Sequence, residues 1–64
     1  MNKKYTVYHW DTFDNSTIKM AEKDTLEQAM EFVNEHYDGR ISDSGADRVD
    51  IVHEGRVVEW YKVR

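Results

Sequence analysis

Three features of the 64-residue sequence predict a single α+β domain of order β-β-α-β-β, an antiparallel sheet with one helix packed on one face. A β-branched and aromatic stretch opens the chain, one segment repeats its apolar residues at helical steps between two caps, and two apolar runs near the end are joined by Glu54-Gly55.

The opening stretch KYTVYHWD, residues 4–11, reads as the first strand because Val, Thr, Tyr and Trp suit a pleated, half-buried surface. Successive side chains point to opposite faces, so Tyr5, Val7 and His9 share one side and Thr6, Tyr8 and Trp10 the other. Asp11, Asp14, Asn15 and Ser16 follow, and their short polar side chains favour a turn by bonding nearby backbone. Residues 17–23 are predicted as a second strand, with Ile18 and Met20 on one side and Lys19, Ala21 and Lys23 on the other.

The helix begins at Thr25, with Gln28 three residues on, the spacing at which two side chains satisfy backbone N–H groups reciprocally. Leu26, Ala29, Met30, Val33 and Tyr37 form its apolar stripe, flanked by Phe32 and His36, whereas Glu27, Glu31, Glu35 and Asp38 fall opposite. Gly39 lies where a left-handed residue ends a helix at little cost. Residues 40–46 read as a loop.

Residues 47–53 and 56–63 are predicted as a hairpin closed by the two-residue turn Glu54-Gly55. In that register Ile51 faces Val58 and Val49 faces Trp60 on one side, while Val52 faces Val57 and Arg48 faces Tyr61 on the other. Asp50 meets Glu59, an unfavourable like-charge pair. The helix-covered set is then Tyr5, Val7, Ile18, Met20, Val49, Ile51, Val58 and Trp60.

The remaining side of the sheet carries Tyr8, Trp10, Arg48, Val52, Val57 and Tyr61, and this is the predicted protein-binding surface. Interface cores are enriched in Trp, Tyr and Arg. A chain of this length hides only about 60% of its unfolded surface, so covering a second face is a physical motive for self-association. The expectation is a non-enzymatic interaction domain, a homodimer in its first form, docking by that face or by a sheet edge. The acidic residues Glu27, Glu31 and Glu35 offer a second surface, suited to a basic protein partner. Small, acidic, cysteine-free domains are a format shared by inhibitors from phages and other mobile elements.

Composition sets aside other classes. Without cysteine there is no disulfide, thiolate metal site or thiol nucleophile, which fits a cytoplasmic protein. His9, His36 and His53 have no metal-ligand spacing, and Asp11, Asp14, Asn15, Asp43 and Asp47 lack the pattern of a calcium loop. No phosphate loop or nucleophile elbow occurs, so no cofactor, small-molecule substrate or enzymatic reaction is expected. No apolar run approaches the roughly 18–20 residues of a membrane span, and the charged start at residues 1–4 is not followed by a signal-peptide core. Thirteen acids against nine bases, a net charge of −4, argue against nucleic acid. Lys3, Lys4, Lys19, Arg48, Lys62 and Arg64 around Tyr8, Trp10 and Tyr61 would be the platform for single strands if it bound one.

Overall fold

A computed structural model describes residues 4–64; Met1, Asn2 and Lys3 lie outside the described residues. Its elements are β1 (Tyr5–Asp11), β2 (Ser16–Lys23), α1 (Leu26–His36), β3 (Asp47–His53) and β4 (Arg56–Val63). The sheet has four antiparallel strands in the order β2-β1-β3-β4, and α1 contacts β1, β2 and β3. The predicted fold class is therefore what the chain adopts.

Local chemistry explains the boundaries. Asp11 Oδ1 accepts the N–H groups of Phe13 and Asp14, at 2.9 and 3.3 Å, and Asn15 takes a positive φ of 52° to close the first turn. Thr25 Oγ1 accepts the Gln28 N–H at 3.1 Å, while Gln28 Oε1 reaches back to the Asp24 N–H at 3.2 Å, one residue before the cap. Glu54 and Gly55 have φ of 53° and 79°, the two positive angles a tight hairpin turn of matching twist requires.

The core is Val7, Ala29, Val33, Tyr37, Val49, Ile51 and Val63, with Tyr5, Met20, Ala21, Leu26, Met30, Phe32 and Tyr61 packed around it. Two bulges correct the predicted side assignments. In β2 the register shifts opposite Val7/Tyr8, so Met20 is the extra residue. Ala21 pairs with Val7 and Lys23 with Tyr5, which brings both to the helix side, where Lys23 Nζ lies 5.5 Å from the centre of the Phe32 ring.

In β4 the tight turn keeps Val52 opposite Val57, but the register then shifts and Val58 becomes the extra residue. Beyond it Ile51 pairs with Glu59, Asp50 with Trp60, Val49 with Tyr61 and Arg48 with Lys62. Tyr61 and Trp60 thus exchange sides relative to the unbulged register, and Asp50 no longer opposes Glu59. The bulge relieves the like-charge pair and puts the phenol, not the larger indole, beside the core.

That burial has a cost. The Tyr61 hydroxyl is buried without a hydrogen-bond partner among the described residues, and burial pushes its ionisation above the ordinary value. Because an unsatisfied buried donor costs about 1–3 kcal/mol, Tyr61→Phe is expected to match or exceed the parent's stability in urea unfolding. A loss above about 1 kcal/mol would show that the hydroxyl is satisfied.

The C-terminal end of the far edge of the sheet is closed to further strands. Ile41 bridges Val63, Ser42 N–H bonds Lys62 O at 2.9 Å, and Arg64 N–H bonds Arg40 O at 2.9 Å. Lys62 therefore turns its backbone groups outward, and two residues earlier Trp60 does the same. The Trp60 N–H is taken by the Glu59 carboxylate at 3.1 Å. Over residues 60–63 of β4, edge pairing of the kind that joins chains is blunted.

Candidate interaction surface

The side of the sheet opposite α1 is organised by register into three ranks across the four strands. Thr17, Trp10, Arg48 and Lys62 form the first, Lys19, Tyr8, Asp50 and Trp60 the second, and Glu22, Thr6, Val52 and Val57 the third. Directly paired residues of an antiparallel ladder share a face, so these twelve side chains form one surface.

Its centre is aromatic and cationic. The Arg48 guanidinium lies 4.9 Å from the centre of the Trp60 ring, and its Nε donates to Asp50 Oδ1 at 2.6 Å. A shallow hollow of about 400 Å³ is bounded by Tyr8, Trp10, Thr17, Arg48 and Asp50. Trp10 is 38% exposed, Trp60 49% and Val57 48%, so large apolar area meets solvent here. Lys19 bonds Glu22 at 2.5 Å, and that carboxylate holds the ammonium above its ordinary ionisation.

Tyr8, Trp10, Arg48, Val52 and Val57 are thus brought together as the sequence predicts, whereas Tyr61 is removed to the helix side. Trp60, assigned to the core from sequence, stands in its place. The one signal that could have found it was the Asp50–Glu59 clash, which a single extra residue removes. Glu27, Glu31 and Glu35 are exposed along α1, on the opposite side of the domain from the two tryptophans.

A second constellation joins the end of α1 to the sheet. His9 Nδ1 is 2.6 Å from the Tyr37 hydroxyl and His9 Nε2 is 2.9 Å from Asp47 Oδ2. Asp47 Oδ1 accepts the Thr12 N–H at 3.1 Å, and the Thr12 hydroxyl bonds Ala46 O. Every polar atom is satisfied if Nε2–H donates to Asp47 and Tyr37 donates to Nδ1. Both ring nitrogens are then occupied, and Tyr37, 1% exposed, is not presented to solvent. The arrangement ties the first turn, α1 and β3 together. Asp47, placed from sequence at the start of the third strand, is the carboxylate of this clasp. His53 stacks on Tyr5 with ring centres 4.0 Å apart.

The clasp gives a pH dependence of definite sign. The hydrogen bond from His9, then that from the Thr12 N–H, hold the Asp47 carboxyl below its ordinary value of 3.8. A lowered folded value means that Asp47 stabilises the domain above 3.8 and ceases to do so as pH falls through the folded value. Asp47→Asn is expected to weaken the fold at pH 7 and to flatten its loss of stability below pH 4, measured by urea unfolding across that range. Parallel acid profiles for both proteins would contradict this assignment.

No protein family matches this chain. Nor does any curated protein or solved structure match it. Among the described residues no cluster of three or more His, Asp or Glu side chains is placed to hold a metal ion, and no helix is long and apolar enough to cross a membrane.

Proposed function

We propose that this domain works by binding protein through the open side of its sheet, without catalysing a reaction. One observation carries the reading: both tryptophans of the chain, with Tyr8 and Arg48, gather on the sheet face opposite the helix. Half-exposed Trp, Tyr and Arg around a shallow hollow are the residues that dominate binding energy when a partner excludes water from them. Two cations of this face favour protein over nucleic acid, because Arg48 and Lys19 each already hold a carboxylate there. A phosphate backbone would have to displace Asp50 and Glu22.

A photoreactive phenylalanine analogue at Trp10 or Val57, compared with one at Glu31, tests this in cells producing the protein. Protein adducts are expected from the two sheet positions and few from the helix. Adducts confined to position 31 would place binding on the acidic ridge, and absence of adducts at 10 and 57 would overturn the reading.

A further inference from the structure

We propose that the protein covering the open face is a second copy of this chain, stacked sheet on sheet about a two-fold axis that runs along the strands between β1 and β3. This inference rests on the protein-binding reading of that face and names its occupant.

The argument is one of charge and register. Such an axis keeps each rank level with itself and reverses its order across the strands. In the first rank Arg48 then lies over the partner's Trp10, and Lys62 over the partner's Thr17. In the second, Tyr8 meets the partner's Asp50 and Lys19 meets the partner's Trp60. In the third, Thr6 meets the partner's Val52 and Glu22 the partner's Val57. Within the two central columns, β1 and β3, the contacts are a cation on an indole, a phenol on a carboxylate, and a threonine on a valine. Each occurs twice, as an isologous interface requires.

The two-fold axis across the strands gives the opposite result. It lays Lys19 on Lys19, Asp50 on Asp50 and Trp60 on Trp60, two of them like-charge contacts, the aspartate pair at the centre of the interface. Other surfaces suit self-association less. The helix exposes Glu27, Glu31 and Glu35, and Asp38 is exposed just past its end, so two helix faces of a chain of net charge −4 repel. Stacked sheets instead carry those ridges to the two outer sides of the dimer. The β4 edge is occupied by residues 41–42 and by the Glu59 carboxylate, and β2 carries the Met20 bulge.

Sedimentation equilibrium of the intact chain at micromolar concentration is expected to give a species near twice 7.7 kDa. Geometry is read separately, from single-cysteine variants of a chain that has no cysteine of its own. A mixture of Thr17→Cys and Lys62→Cys is expected to form a mixed dimer with a bismaleimide spanning about 10 Å, the separation of stacked sheets. Either variant alone is expected to cross-link at least tenfold less, since each residue sits at the corner opposite its own copy. A monomer at every concentration up to millimolar overturns the second-copy inference, yet leaves the photoadducts at Trp10 and Val57 to judge protein binding itself. A dimer in which Thr17→Cys or Lys62→Cys cross-links to itself as readily as to the other overturns the proposed axis.

Discussion

Gly45→Ala is expected to be among the most damaging single-methyl additions to this domain. A Cβ at Gly45 would lie 2.4 Å from the Val63 carbonyl oxygen, 2.5 Å from its carbon and 2.8 Å from its nitrogen. All three are backbone atoms of a buried strand residue, so no side chain can swing aside, and the loop itself must move. Moving it strains the Gly45 N–H to Ser42 O bond and lifts Ser42 from Lys62, the contact that occupies the β4 edge. Overpacking of this kind costs about 1–3 kcal/mol or more. A domain of this length has roughly 3–10 kcal/mol in all. The expected result is a melting midpoint lowered by roughly 4–24 °C, on the basis of about 4–8 °C per kcal/mol for a small domain. An unchanged midpoint would show that residues 40–46 do not pack as described.

Ile51→Ala is expected to be at least as costly, for the opposite reason. Ile51 is fully buried at the middle of β3, opposite Val7 on β1, so removing three carbons leaves a cavity between sheet and helix. Isoleucine-to-alanine changes in cores cost about 2–5 kcal/mol, a large part of the total here. Trp60→Ala makes the control. The indole is larger than the isoleucine side chain but is half exposed on the open face, so the fold of the isolated chain is expected to lose less than about 1 kcal/mol. Urea unfolding of the three proteins at nanomolar concentration separates a core residue from one on the open face of the sheet. Equal losses would contradict the division of the sheet into two sides.

Most of the fold is legible in the sequence because its signals are local. The Thr25 and Gln28 cap, the three- and four-residue steps from Leu26 to Tyr37, and the Glu54-Gly55 turn each act within a few residues of themselves. What is not legible arises between strands. A bulge is one extra residue whose benefit lies across the ladder, here the release of Asp50 from Glu59, and it turns every later side chain over. For that reason Trp60 and Tyr61 exchange sides, and Ala21 and Lys23 join the helix side. The clasp of His9, Tyr37 and Asp47 was hidden for a related reason: its members are 28 and 38 positions apart, and only the pairing of β1 with β3 brings them together. That Tyr8, Trp10, Arg48 and Val52 share one side of the sheet was legible because it depends on alternation in β1 and β3, which pair without a bulge.

The chain's two tryptophans, Trp10 and Trp60, both stand on the open face, so indole fluorescence reports on that face alone. Acrylamide quenching, followed from nanomolar to high micromolar protein, therefore tests directly whether exposed aromatics there are a site for a partner. Efficient quenching in dilute solution that falls as copies associate, and falls no further in Arg48→Glu, is the expected result. Tryptophans already shielded at nanomolar concentration would contradict it, because the indoles would then be part of a single chain's own core.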